Sequence, residues 1–412
     1  MSPHPPFKQW ISPTQSPRVD ALLKRAAERP EVISFAGGLP AEDLFPKRAL
    51  SETLRRVMQE HADEALQYHW PEGYAPLREL LVEMLRERGI FAGPRELLIT
   101  HGAQQALDLL ARLFLRTGDP LAIESPTYVA AIQVFKLQRP RLCPLPRDAD
   151  GLAMERVREV FRDVRPPLTY VAPAGHNPLG SALAETTCEE LLALAHAHDG
   201  FLVEDDAYGS IQFDGPRRPL RAYPGAEARV IHVGTFSKTL TPGLRVGWIV
   251  ASAEIIEHLM ALKGAADLQT SSLSQIVLAT YLQEFSLQSH IARCLTAYRE
   301  RRAAMLAALA ELLPPGLRWT RPSSGFSVWL ELPPGSSSDA LLDAAVEAGV
   351  AFEPGAAFYP EAPRDDRLRL SFSNHPPAEI REGIARLGRV LTEQLDTTQP
   401  PGWHHLVASA TM

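Results

Sequence analysis

Between residues 96 and 251 the chain alternates short apolar runs with longer helical stretches, and this alternation constrains its fold more than any other feature. The strand candidates are ELLIT (96–100), PLAIE (120–124), LTYVA (168–172), FLVED (201–205), RVIHVG (229–234) and VGWIVA (246–251). Helical segments such as AQQALDLLARLFL (103–115) and AETTCEELLALAHAHDG (184–200) lie between them. β-rich runs separated by helices predict an α/β fold, with a mainly parallel sheet covered on both faces. From about 253 to about 313 the pattern is helical. The segments LRWT, GFSVWLEL, SDALLDAAVEAG, VAFEP, LRLSFS and PAEIREGIARLGRVL then read as strand, strand, helix, strand, strand, helix. That order predicts a separate, smaller α+β domain. With 412 residues the chain exceeds one ordinary core. The expected division is a Pro- and Ser-rich arm with part of the small domain over 1–45, a large domain over 46–285, the small domain over 286–398 and a loose tail over 399–412.

Composition narrows the function. A formal net charge of −7 gives no basic surface for nucleic acid. No apolar run approaches the roughly 20 residues that span a bilayer. The opening MSPHPPFKQW lacks the basic-then-apolar order of a signal peptide. Cys143, Cys188 and Cys294 are scattered, so neither a disulfide framework nor a metal site is expected. These features predict a cytoplasmic enzyme.

In an open α/β sheet, ligands bind beyond the carboxyl ends of the strands. After LLIT comes HGAQQALDL, where a helix N-terminus at Ala103 and Gln104 suits a phosphate. After PLAIE comes SPTYVAA with Tyr128, and after LTYVA comes PAGHNPLG with Asn177. After FLVE comes DDAYGS; acidic groups at a strand end must be solvated or paired with a cation. After RVIHVG comes TFSKTLTPGLRVGW, bringing Thr235, Ser237, Lys238 and Arg245. Hydroxyls with a guanidinium form a phosphate site. Lys238 is conspicuous because lysine otherwise occurs only at 8, 24, 47, 136 and 263, arginine supplying the remaining positive charge. Only lysine can deprotonate near neutral pH and attack a carbonyl as an amine.

A lysine between a phosphate end and a carboxylate end meets the demands of pyridoxal 5′-phosphate. The eight segments VISFAGGLP, LQYHWPEGYAPLREL, HGAQQALDL, ESPTY, PAGHNPLG, VEDDAYG, GTFSKTLTPGLRVGW and RLRLSFSN, from about Val32 to Leu391, resemble the fold-type I class I aminotransferases of the 2-aminoadipate and aromatic branch. The resemblance implies a large domain with a seven-stranded-type sheet and a smaller α+β domain. It makes Lys238 the Schiff-base lysine and proton shuttle, with Asp205 on the pyridine nitrogen and Tyr208 and Asn177 on the phenolic oxygen. It stacks Tyr128 on the ring and puts Ala103, Gln104, Thr235, Ser237 and Arg245 on the phosphate. Tyr68 would reach the phosphate from the partner chain of a homodimer with composite active sites. Arg369 and Asn177 would clamp the substrate α-carboxylate, and Gly38 would line the substrate pocket. A lysine beside cationic groups is expected to titrate low and act as a base.

The implied reaction moves an amino group from an L-amino acid to a 2-oxo acid. A replacement, elimination, decarboxylation or oxidation on the same fold is the alternative, because such chemistry branches after a shared imine. FDGPRRPLRAYPG also resembles the effector domains of MocR-type regulators, but the roughly thirty residues before VISFAGG show no helix-turn-helix pattern or basic cluster, which argues against a regulator. His69, Trp70, His176, Leu179, Ser324 and Ser327 depart from the family pattern on loops expected near the substrate. Arg367 is expected at the surface and Asp206 in a structural role. Arg18 and Arg25 are candidates for meeting a substrate side chain.

Overall fold

The computed structural model describes Ile11 and residues 16–398; the tail over 399–412 and most of the N-terminal arm lie outside the described residues. Seven strands form the main sheet: β1 (Leu97–Thr100), β2 (Pro120–Ser125), β3 (Arg141–Pro146), β4 (Leu168–Val171), β5 (Phe201–Asp205), β6 (Val230–Thr235) and β7 (Gly247–Val250). Their order across the sheet is β1-β7-β6-β5-β4-β2-β3. All neighbours are parallel except β7, which runs antiparallel to both β1 and β6. Strands β1, β4, β5, β6 and β7 are buried along nearly their whole length, as expected for strands covered on both faces.

Helices α1 (Gly102–Phe114), α2 (Val129–Lys136) and α3 (Glu185–Ala197) connect strands, and the expected boundaries of α1 and α3 shift by only a few residues. Strand β3 was not among the sequence candidates. Its segment RLCPLP carries two prolines, tolerable because β3 is an edge strand, where a missing N–H removes no ladder bond. The helical span after 253 divides into α4 (Ala253–Asp267), α5 (Ser272–Glu284) and the long α6 (Leu287–Leu312). Ser252, Ser271 and Ser286 each cap the following helix, accepting from the backbone N–H groups of Ile255, Ser274 and Ser289.

The C-terminal part has its own core, in which α6 and α8 (Pro377–Thr398) pack beside a four-stranded antiparallel sheet. That sheet contains β8 (Arg318–Trp319), β9 (Ser327–Glu331), β10 (Glu353–Pro354) and β11 (Arg367–Ser371) in the order β10-β11-β9-β8. α7 (Ser338–Glu347) lies beside it. The segment VAFEP is two strands, not one. Val350 and Ala351 pair in parallel with Ile33 and Ser34, whereas Glu353 and Pro354 pair with β11. Residues near 33 therefore cross from the N-terminal region into the C-terminal core, where Val32, Phe35 and Ala41 are buried.

Arg367 requires a correction. It stands two residues from Arg369 on β11, so the two share a face. It is buried, with ion pairs to Glu331 (3.3 Å) and Asp366 (2.9 Å).

Candidate active site

Because β4, β5 and β6 are parallel neighbours, their carboxyl ends deliver three loops to one edge of the sheet. β1 runs the same way, placing the N-terminus of α1 at that edge. A cavity of about 380 Å³ opens there, roofed by Arg369 of β11 and Glu353 of β10. Its walls include Gly38, Ala103, Gln104, Tyr128, Asn177, Asp205, Tyr208, Thr235, Ser237, Lys238, Arg245 and Arg369. Every residue expected at the site is thus in this cavity except Tyr68, which is 75% exposed on the outer surface of the same chain.

Lys238 projects into the middle of this cavity. Its Nζ donates to the carbonyl of Gly38 at 2.7 Å and lies 5.7 Å from the centre of the Tyr208 ring. Burial, then the positive charges of Arg369 and Arg245, lower its pKa to about 8 against the pull of Asp205. Lys263, the next lysine along the chain, is held by Asp267 at 2.9 Å and does not reach the cavity.

At one end, Asp205 closes β5. Its carboxylate accepts from Tyr170 Oη at 2.7 Å and from the Ala207 N–H at 3.2 Å. Burial raises its pKa, and no Lys, Arg or His forms an ion pair with it among the described residues. Asp206 faces elsewhere. It receives Arg88 Nη1 and lies 3.9 Å from His232, whose Nδ1 meets Glu204 at 3.0 Å. That is a buried structural network, as expected for Asp206.

At the other end are hydrogen-bond donors suited to an anion. Thr235 Oγ1 and Ser237 Oγ are 2.9 Å apart, beside the first turn of α1. Arg245 adopts the left-handed conformation (φ 56°), and among the described residues its guanidinium meets the carbonyls of His101 and Pro242, both at 3.4 Å. Gly102 (φ 72°) makes this approach possible, since a Cβ there would lie 2.8 Å from Arg245 Nη2. Helix N-terminal N–H groups, two hydroxyls and a guanidinium with no carboxylate partner among the described residues make a cup that fits a phosphate.

Arg369 completes the cavity. Its Nη1 donates to Asn177 Oδ1 at 3.1 Å, and its Nη2 to Glu353 Oε2 at 3.4 Å. A Cβ at Gly38 would come within 3.8 Å of Arg369 Nη1 and 3.4 Å of Tyr208 Oη, so glycine keeps this corner open. Glu353 was missed because its partnership comes from register: it stands directly opposite Arg369 on the neighbouring strand. Tyr170 was missed for the same kind of reason, since only strand adjacency brings it to Asp205.

The departures from the family pattern lie mostly outside the cavity. His176 is fully buried behind the Asn177 loop, 3.5 Å from Glu124, which is ion-paired with Arg147. Burial and Arg147 push its pKa well below the usual range, so it is a neutral packing residue. Ser327 Oγ donates to Pro178 O at 3.1 Å, bracing the same loop. Arg18 pairs with Asp343 at the surface, and neither it nor Arg25 lines the cavity.

A buried carboxylate lacking a cation, a phosphate cup and a low-pKa lysine between them fit pyridoxal phosphate, whose ring nitrogen, phosphate and aldehyde demand those partners. The profile of the class I and II aminotransferases matches residues 31–387. The chain belongs to that family. It is a pyridoxal phosphate-dependent aminotransferase of fold type I, transferring an amino group from an amino acid to a 2-oxo acid. It is 39% identical to aromatic-amino-acid aminotransferase 1 of Thermococcus litoralis over 90% of this chain and 91% of that one. It is 40% identical to 2-aminoadipate transaminase of Thermus thermophilus, over 93% and 96% of the two chains. The crystal structure of LysN, the α-aminoadipate aminotransferase of Thermus thermophilus complexed with N-(5′-phosphopyridoxyl)-L-leucine, superposes with a TM-score of 0.88. Its identity is 38%, over 95% of this chain and 98% of that one.

Proposed function

We propose that Lys238 is the covalent anchor and the proton-moving base of this aminotransferase, and that its preferred donors carry neutral, aromatic or aliphatic side chains. The observation that carries the first part is the Lys238 amine, lowered to about 8 and standing between Asp205 and the Arg245 cup. Bound pyridoxal phosphate supplies an aldehyde and a ring that withdraws electrons from the substrate α-carbon. Asp205 would then face the ring nitrogen, Tyr128 would stack on the ring, and Tyr208 and Asn177 would hydrogen-bond its oxygen. Ala103, Gln104, Thr235, Ser237 and Arg245 hold the phosphate. Arg369 and Asn177 clamp the α-carboxylate, fixing the α-hydrogen toward Lys238. A substantial neutral fraction near pH 8 would let the Lys238 amine accept that proton and return it.

The donor preference rests on what the walls hold once those partners are assigned. Leu39, Val129, Ala130 and Phe358 remain, together with Gln133 and Glu353. No unassigned cation lines the cavity among the described residues, and Glu353, already paired with Arg369, offers nothing to a second carboxylate. The name of the Thermococcus relative, aromatic-amino-acid aminotransferase 1, agrees with this reading, whereas that of the Thermus relative, 2-aminoadipate transaminase, points to a dicarboxylate.

A cytoplasmic homodimer completes the proposal. Leu66, Tyr68, Trp70 and Leu268 are each at least 60% exposed on two segments tied together by Ser272 Oγ donating to Gln67 O at 2.7 Å. A two-fold interface over this patch would carry Tyr68 to the other chain's phosphate cup. The two-domain division, with 46–285 large and 286–398 small, is supported by the separate C-terminal core.

The test follows the cofactor absorbance on adding phenylalanine, leucine, 2-aminoadipate or glutamate to the holoenzyme. Phenylalanine and leucine should convert it fastest, with one 2-oxo acid formed per site. Faster conversion by the dicarboxylates would refute the donor preference. A borohydride-reducible lysine adduct persisting in Lys238→Ala would refute the anchor.

A further inference from the structure

We propose that Tyr170 is a positioning residue that keeps the proton on the cofactor's ring nitrogen, acting through Asp205. This rests on the reading that Asp205 faces that nitrogen. On parallel β4 and β5, Tyr170 is in register with Val203, two residues before Asp205, so ring and carboxylate lie on one face of the sheet. The phenol donates to Oδ2 at 2.7 Å, whereas Oδ1 accepts only the longer 3.2 Å bond from the Ala207 N–H. Two donors leave lone pairs on the carboxylate for a third. Both side chains are buried, and Tyr170 is fully so. His232, whose charge also bears on Asp205, is engaged by Glu204 at 3.0 Å and lies 3.9 Å from Asp206, so it does not substitute for the phenol.

The direction follows from where one proton rests. Between a ring nitrogen and a carboxylate screened from water, the proton can stay on nitrogen, giving an ion pair, or move to oxygen, giving a neutral pair. Low dielectric favours the neutral pair. A phenolic O–H donated to the carboxylate stabilises its ionised form much more than its protonated one, returning the proton to nitrogen. Tyr170 retains its own proton in this role, since burial and the adjacent Asp205 push its pKa far above the usual phenol range. A protonated ring is the better electron sink, so loss of the phenol should reach the chemistry without touching the substrate site.

The experiment loads wild-type, Tyr170→Phe, Asp205→Asn and doubly substituted apoproteins with pyridoxal phosphate labelled with 15N in the ring, and records the nitrogen chemical shift. In Tyr170→Phe the resonance should move toward the unprotonated pyridine position, and kcat should fall about ten- to hundredfold with little change in KM. In the Asp205→Asn background, Tyr170→Phe should add nothing to either readout. An unchanged resonance in Tyr170→Phe overturns the proposal while leaving Asp205 in its role if Asp205→Asn does move the signal. An equal further shift in the Asp205→Asn background also overturns it, because the phenol would then act directly. No shift in Asp205→Asn removes the underlying assignment of Asp205 and the Tyr170 proposal with it.

Discussion

Replacing Lys238 by methionine should make the apoprotein more stable near neutral pH while destroying its activity. The amine is held at about 8 by burial and by Arg369 and Arg245, against 10.5 for an ordinary lysine. Below pH 8 the charged form persists in the folded protein although its surroundings disfavour it. A difference of about 2.5 pKa units, at about 1.4 kcal/mol each, sets a ceiling of roughly 3.4 kcal/mol. Lys238 keeps some contact with water through the cavity, so about 2 kcal/mol is the expected difference. The sign follows from proton binding. Between about 8 and 10.5 the unfolded chain holds more protons on Lys238 than the folded chain does, so wild-type stability gains from this residue as pH rises through that window. Methionine has no such contribution, and the advantage of Lys238→Met should be full below pH 8 and vanish above about 10.5. For 412 residues, 2 kcal/mol corresponds to about 2 °C in melting temperature. Melting of the two apoproteins at equal concentration from pH 6.5 to 10.5 measures the difference, and common titrations cancel in it. A constant offset across that range would refute the reasoning, because methionine packing alone would explain it. A smaller gap at pH 7 than at pH 10 would reverse the sign and refute it outright.

Two further outcomes separate neighbouring roles. Asp205→Asn should retain bound cofactor while slowing the amino-acid half-reaction by orders of magnitude. Asp206→Asn should instead lower stability by about 3 kcal/mol, because it strips Arg88 of its carboxylate at a site where Asp206 is 1% exposed. Stopped-flow absorbance and thermal melting distinguish the two, and a reversed pattern would mean that the ring nitrogen meets Asp206. Mixing inactive Tyr68→Phe and Lys238→Ala subunits should restore one native site per heterodimer. An active monomer by light scattering, or no recovery from subunits shown to exchange, would rule out the composite site.

Most of the proposed cofactor site could be read from the sequence because many of its groups sit at or beyond the carboxyl end of a strand. A short apolar run predicts the strand, and a parallel sheet sends the residues beyond it to one edge. Asn177 and Lys238 lie in the loops after β4 and β6, Asp205 is the last residue of β5, and Ala103 and Gln104 lie beyond β1. The chemistry of these residues is local, so their identities survive the change from chain to fold. Partnerships set by register are different in kind. Tyr170 meets Asp205 across 35 residues, and Glu353 meets Arg369 across 16, because strand pairing aligns them. Arg367 is a different case: its face was already fixed by its two-residue spacing from Arg369, and only its partner Glu331 on β9 came from strand pairing. Strand pairing also hid β3, whose prolines are acceptable only because the strand has a single neighbour. The sequence by itself therefore determined the fold and the cofactor, and singled out Lys238 among the chain's few lysines. The surroundings that tune those groups were decided by tertiary structure, since burial and cross-strand register depend on residues far away in the chain.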